Sequence, residues 1–164
     1  MQNLVQSGTV FYDKEVKMDC TSGYAGLRSH LQYRYFRVQY DIKGSSSPSA
    51  NHQGFMWGNT STTTVQGGNS TGHRITHQQA GSNGHMVRDS NSNSQVGSAW
   101  NDYAPNDNTW HHHEILANTN GTTYIWTDGT LRWQGAYQGL GYLGLVGYAG
   151  YVWFKNIKIR GWVF

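Results

Sequence analysis

Residues 109–131, TWHHHEILANTNGTTYIWTDGTL, contain three short segments rich in apolar, aromatic or β-branched residues, separated by two turn signals. The first turn signal is Asn118-Thr119-Asn120-Gly121. The second is Asp128-Gly129, a pair that favours a two-residue hairpin. Segments 109–117, 122–127 and 130–134 are therefore predicted to be consecutive antiparallel strands.

Residues 31–42, LQYRYFRVQYDI, alternate between large apolar and polar side chains with the period of a strand. The apolar parity changes at Tyr35-Phe36, which predicts a bulge or a turn at that point. After the switch, one side of the strand carries Phe36, Val38, Tyr40 and Ile42, while Arg37, Gln39 and Asp41 point the other way.

Two further regions predict strands, and three predict loops. Segments 73–79 and 85–88 are expected to pair as a hairpin, and residues 151–163 to form a long closing strand with a bulge at Lys155-Asn156. Segments 89–97 and 100–108 are polar and predict loops, and 139–150 has five glycines and predicts a turn-rich connection.

About ten short strands without any helical periodicity predict an all-β fold, with two antiparallel sheets packed as a sandwich. The length of 164 residues predicts a single domain over 1–164 that buries a core without disulfides. The core is expected to hold Trp110, Trp126, Trp153, Tyr40 and Phe36. Cys20 is the single cysteine and is expected to be a small buried residue.

The charge and hydropathy patterns argue against two classes of partner. The net charge is +3, and the cations are scattered rather than gathered in a stripe, so no nucleic-acid partner is predicted. No run of 18 apolar residues is present, so membrane insertion is not expected. Residues 1–5 do not look like a signal peptide; export by another route, release by lysis and excision from a longer chain all stay open.

Three pieces of the sequence resemble concanavalin A-like jelly rolls, in particular laminin-G-like domains and laminarinase-like sandwiches. They are 35–42 followed by the Gly54-Phe55-Met56-Trp57 segment, 109–116 followed by 123–131, and 141–145 followed by 152–159. The resemblance implies a jelly-roll sandwich of the lectin and glucanase type. That fold hosts lectins, adhesion modules, glycosidases and virion proteins, so it does not fix the function.

The resemblance stops at the catalytic motif. Laminarinase-type enzymes carry the pattern Glu-x-Asp-x-x-Glu on one strand, and no acidic residues of this chain have that spacing. Glycosidases of the retaining type need two carboxylates about 5 Å apart. Because Glu114 is expected to be a lone acid on its strand and Asp128 a turn residue, the chain is predicted not to be an enzyme.

The histidines are interpreted as structural. Only His111 and His113 of the triple can share one face of a strand. His73 and His77 point the same way but lie about 13 Å apart, too far for one metal ion. His77 and His85 could approach each other if their strands pair. An intersubunit metal in a trimer is the alternative; we expect no metal and no cofactor.

Aromatic and polar residues beside the loops form the predicted ligand site. Aromatic rings stack on the apolar face of sugars, while amides, histidines and arginines bind the hydroxyl groups. The alternative is that these aromatics only anchor the loops to the sandwich. The predicted glycan-contacting residues are Trp57, His73, Arg74, His77, His85, Arg88, Trp100, Asp102 and Tyr103.

Together these features predict a non-catalytic recognition or adhesion domain that binds glycans such as a cell-surface polysaccharide. It would be displayed outside a cell or on a virion, as a phage tail fibre or a capsid-surface module, and would form a homo-oligomer or join other virion proteins. The alternatives are a purely structural virion protein and a divergent glycoside hydrolase or lyase.

Overall fold

A computed structural model describes residues 9–12, 14–21, 24–44, 54–60, 72–78, 84–92, 94–103, 107–136, 139–148 and 150–163. Its strands are β1 (Thr9–Tyr12), β2 (Val16–Asp19), β3 (Tyr24–Gly44), β4 (Gly54–Asn59), β5 (His73–Gln78), β6 (Gly84–Asp89), β7 (Gln95–Asn101), β8 (His111–Ala117), β9 (Thr122–Thr127), β10 (Thr130–Ala136), β11 (Gly141–Tyr148) and β12 (Tyr151–Val163). Among the described residues, no helix has the length and hydropathy that a membrane-spanning segment needs.

All the strands are hydrogen-bonded into one antiparallel network that folds into two layers at β3. The second half of β3 lies between β8 and β12, and these strands form sheet I in the order β10-β9-β8-β3-β12, with β1 and β2 along the other edge of β12. The first half of β3 pairs with β11, and sheet II continues through β4, β5 and β6 to β7. The predicted sandwich is confirmed.

Residue parity explains how β3 serves both sheets. The register of β3 against β12 shifts between Trp162, opposite Tyr35, and Val163, opposite Tyr33. Arg34 is therefore the extra residue of a β-bulge, next to the predicted switch at Tyr35-Phe36. The bulge lets Tyr33 and Phe36 both point into the core, where each is 2% exposed.

Aromatic rings join the two sheets through the core. Phe55 of β4 stacks on Tyr40 of β3, with ring centroids 5.7 Å apart, and contacts Phe36 at 6.3 Å. Phe154 of β12 packs beside Tyr40 at 5.9 Å. The prediction that Tyr40 and Phe36 belong to the core is therefore confirmed.

The prediction that Trp110, Trp126 and Trp153 are core residues is wrong, because each of them is only half-buried. In β9 the inward residues are Thr123, Ile125 and Thr127, so Trp126 lies half-buried on the outer side. In β12, Asn156 has φ 52° at the predicted bulge, and the inward aromatic before it is Phe154 rather than Trp153. Alternation shows which residues share one side of a strand. Taking the largest side chains as the buried set, however, gave the wrong side.

Two segments predicted as loops contain strands. Residues 95–101 form β7, whose mostly exposed, polar side chains concealed the strand pattern. The glycine-rich segment contains β11, which lies between β3 and β4. A Cβ on Gly141 would lie 2.3 Å from the backbone carbon of Gly58, so this glycine permits close contact between neighbouring backbones.

The predicted hairpins form as expected. Asp128 and Gly129 have φ values of 47° and 80°, the positive angles that a type I′ turn requires, and they join β9 to β10. Strands β5 and β6 pair so that the backbone of His77 lies opposite that of His85.

Candidate functional site

The predicted glycan-contacting residues of sheet II lie mostly inside the protein. Trp57, His73, Arg74 and His85 are between 0% and 3% exposed, and Trp100 is 9% exposed. The side chain of His77 lies outside the described part of the structure. A ring without an exposed face offers no platform for a sugar, so the packing alternative suits Trp57 best. Glycan contact by this set of residues stays a prediction.

Part of the predicted set does come together, in a cluster between the sheets. The ring of His85 stacks on Trp100 at 5.7 Å and meets Tyr103 edge-on at 4.4 Å. Tyr103 also lies flat on His111, with centroids 3.4 Å apart, and its hydroxyl is 2.8 Å from Nε2 of His113. We call His85, Trp100, Tyr103, His111 and His113 the histidine–tyrosine cluster.

Burial keeps the inner histidines of this cluster neutral. Burial first, and then the nearby His111 and Arg132, lower the pKa of His85 to about 3. Burial likewise holds the pKa of His113 well below its usual value, and its Nδ1 lies 3.4 Å from the Tyr40 hydroxyl. A neutral imidazole has one donor and one acceptor nitrogen, so it can bridge the two tyrosine hydroxyls.

Asp102 and Asp107, which follow β7, each contact a basic side chain of sheet I. Nε2 of His111 is 2.9 Å from Asp107, and its Nδ1 is 2.9 Å from Asp128. Asp102 forms an ion pair with Arg132 of β10, and the Asp102 side chain is 4% exposed. In the described ranges, no three histidine, cysteine or acidic side chains are placed to hold a metal ion. The histidine–tyrosine cluster therefore packs sheet II against sheet I, through contacts of His85 with Tyr103 and with His113 of β8.

Sheet I presents a broad polar face to solvent, formed by the outward side chains of β3, β8, β9 and β12. Glu114 lies opposite Gln39 on β3 and opposite Trp126 on β9. Its carboxylate receives hydrogen bonds from Gln39 at 2.8 Å and from Nη2 of Arg37 at 3.0 Å, and it lies 2.8 Å from Nε of Arg37. We call this surface the outer face.

A second carboxylate of the outer face is held in a similar way. Asp41 lies 2.7 Å from Nδ1 of His112 and accepts a hydrogen bond of 2.6 Å from Asn156. Because Asp41 pairs with His112 and Gln39 with Glu114, the two acids occupy adjacent rows of neighbouring strands. Both are ion-paired or hydrogen-bonded to other side chains of the same face.

The aromatic side chains of the outer face are also in contact with neighbours. Tyr124 stacks on Trp126 with ring centroids 5.8 Å apart. The amine of Lys155 lies 4.0 Å from the ring centre of Trp110, and that of Lys43 lies 4.9 Å from Trp153. The half-buried rings of Trp110 and Trp153 therefore have a lysine amine over one face.

An open groove of about 500 Å³ lies at the end of the outer face, where β8 and β12 finish. Its walls include both aromatic and hydrogen-bonding side chains. Trp162 is the most exposed of the large apolar residues described, at 64%, and its ring meets that of Tyr35 edge-on at 6.4 Å. The side chains that line the groove include Tyr35, Arg37, Asn118, Thr119, Arg160 and Trp162.

The sequence prediction missed this groove, although the signal was present. Ile157 and Ile159 are buried, and the same parity places Lys158, Arg160 and Trp162 outside. An apolar ring on the polar side of a strand is the feature that would have identified it.

Comparison with known proteins gives relationships at the level of structure only. No family model matches the sequence, and neither does any curated protein. The carbohydrate-binding module CBM66 from Bacillus subtilis superposes with a TM-score of 0.66 and 13% identity, over 93% of this chain and 92% of that one.

Two other solved structures are similar to the same extent. The exoplasmic/lumenal domain of VIP36, in its Ca²⁺/Man3GlcNAc-bound form, has a TM-score of 0.67 and 10% identity over 94% of this chain and 83% of its own. Apo Crh5 transglycosylase has a TM-score of 0.65 and 11% identity, over 90% and 72%. The chain therefore has a concanavalin A-like jelly-roll fold.

Proposed function

We propose that the protein is a non-catalytic recognition domain that binds glycans in the groove at the end of the outer face. The observation that carries the proposal is the exposure of Trp162 beside two arginines, Arg37 and Arg160. A single exposed apolar side chain is ordinary on a protein surface, but Trp162 lines a concave groove with polar groups around it, which is the setting in which ligands bind.

The groove has the two kinds of group that a sugar ring needs. Trp162 offers an apolar surface for the C–H face of a pyranose or furanose ring. Arg37, Arg160, Asn118 and Thr119 surround it with hydrogen-bonding side chains for the hydroxyl groups. The volume of about 500 Å³ lies within the range of small-molecule sites, about 300–1,000 Å³.

The similar structures support this function without deciding it. One of them is named as a carbohydrate-binding module, and another was solved with a Man3GlcNAc glycan bound. The transglycosylase and a putative glycosyl hydrolase are also among them, so the fold alone does not exclude catalysis.

The described carboxylates favour recognition over catalysis. A retaining glycosidase needs one carboxylic acid that donates a proton and one carboxylate that attacks the sugar, about 5 Å apart. On the outer face Glu114 is bound to Arg37 and Gln39, and Asp41 to His112 and Asn156. Both acids act as anchors for neighbouring side chains.

The wider setting belongs to the same proposal. We place the chain outside the cell or on a virion surface, as one domain over residues 1–164 that works as a homo-oligomer or beside other virion proteins. A purely structural virion role is the competing function, and it predicts that the groove binds no glycan.

A glycan array probed with the purified chain and two variants tests the proposal. Trp162→Ala is expected to abolish or strongly weaken the binding signals, because it removes the exposed ring. Trp126→Ala is the matched control, since this tryptophan lies on the outer face but outside the groove. Circular dichroism establishes that both variants fold. Unchanged binding by Trp162→Ala, or no glycan bound by the native chain, contradicts the proposal.

A further inference from the structure

Positive charges collect at the groove in an arrangement that costs free energy. Arg160 of β12 lies directly opposite Arg37 of β3, and both side chains point to the outer face. Like charges on directly opposed residues of neighbouring strands destabilise a sheet. Lys158, two residues before Arg160 on the same face, adds a third cation beside the pair.

The acidic residues nearby compensate for only part of this charge. Glu114 binds Arg37 through Nε and Nη2, which uses two of the five N–H donors of the guanidinium. None of the ion pairs found among the described residues includes Arg160, which is exposed. The groove therefore has excess positive charge and guanidinium donors directed at solvent.

Guanidinium groups recognise anions by shape as well as by charge. The planar fork of donors matches the two oxygens of a carboxylate or a sulfate group. Trp162 stands at the end of β12, two residues after Arg160 and on the same face, so one ligand can contact both.

We propose that the groove binds acidic glycans, whose carboxylate or sulfate group lies between Arg160 and Arg37 while a sugar ring stacks on Trp162. This inference rests on the proposed glycan-binding function and names the ligand class for it. The groove has two arginines with Lys158 beside them, whereas a nucleic-acid surface needs a longer track of cations along a phosphate backbone.

Ligand pairs that differ only in charge test the inference. Isothermal titration calorimetry compares oligogalacturonate with its neutral methyl ester, and a sulfated galactan oligosaccharide with its desulfated form. We expect the acidic member of a pair to bind at least tenfold more tightly, and more weakly as salt rises. A single-stranded oligodeoxynucleotide of similar charge is the third probe, and we expect it to bind more weakly than the acidic sugars.

Two substitutions locate the effect. Arg160→Gln is expected to weaken binding of the acidic ligand about tenfold or more, which corresponds to losing a charge-assisted hydrogen bond. Lys14→Gln removes the same charge from an exposed residue outside the groove and is expected to change affinity less than twofold.

Each result has a definite meaning. Equal or tighter binding of neutral sugars, with Arg160→Gln unchanged, overturns the acidic class but leaves glycan recognition standing. Equal loss of affinity in Lys14→Gln and Arg160→Gln means general charge attraction and overturns the site. Tighter binding of the oligonucleotide assigns the groove to another class of ligand. Binding of no sugar of either kind, by these probes and on the array, overturns both proposals.

Discussion

Replacing Glu114 with glutamine separates the two kinds of function that the outer face could serve. The substitution keeps the size of the side chain but removes the charge that holds Arg37. A general acid or a nucleophile at this position would lose its activity. A recognition site for an acidic sugar would instead lose a competitor for the Arg37 guanidinium, and its affinity would rise.

The size of the gain follows from the geometry of the ion pair. An anion on the other side of the guanidinium would lie about 7 Å from the Glu114 carboxylate, given a hydrogen bond on each side of the group. Two unit charges at that distance repel by about 0.6–1.2 kcal/mol for an effective dielectric constant of about 40–80. Removing the charge of Glu114 therefore raises the affinity for oligogalacturonate about three- to eightfold.

Calorimetric titration of Glu114→Gln beside the native chain measures this gain. Asp19→Asn is the matched control, because it makes the same change in net charge at an exposed residue opposite Tyr151, at the far end of β12 from Trp162. We expect a gain in Glu114→Gln alone, and a smaller gain at high salt. A fall in affinity, or an equal gain in Asp19→Asn, would refute the idea that Glu114 and the anion compete for Arg37.

The remaining predictions concern stability. Trp57→Ala is expected to lower the free energy of unfolding in urea by about 3–5 kcal/mol, because the ring is fully buried; a loss below about 1 kcal/mol would contradict its place in the core. Stability should also fall as the pH drops below about 6.5. There the unfolded chain protonates His85 and His113, whose pKa values burial depresses in the folded state, at a cost of about 1.4 kcal/mol per pH unit for each. Equal urea midpoints at pH 7 and pH 5 would contradict this. Measurements made above pH 4 keep the effect separate from the protonation of Asp19 and Asp89, whose pKa values are lowered.

Local sequence signals were sufficient for the hairpins and bulges. Asp128-Gly129 forms the expected turn because both residues tolerate positive φ, and Asn156 forms the bulge that the parity change in β12 required. These features depend on a few neighbouring residues, so they can be predicted without knowledge of the rest of the chain.

Features that depend on tertiary contacts were harder to predict from the sequence. Glycines in β11 look like turn residues, but Gly141 is glycine because the backbone of Gly58 lies where a Cβ would be. Strand β7 has few inward apolar residues, yet it pairs with β6, and Val96 accepts a hydrogen bond from the Trp133 indole of β10. In each case the partner that stabilises the strand is distant in sequence.

The candidate site illustrates why composition alone does not locate a ligand site. Histidines, tyrosines and tryptophans close to polar loops have the chemistry of a sugar site, but the same chemistry satisfies a buried hydrogen-bonding cluster, as His85, Tyr103 and His113 show. What distinguishes the two is solvent access, and the alternation of a strand reports it. Because Ile157 and Ile159 fix the inward side of β12, Trp162 must face outward, where its ring meets Tyr35 edge-on and still leaves most of its surface exposed beside two arginines.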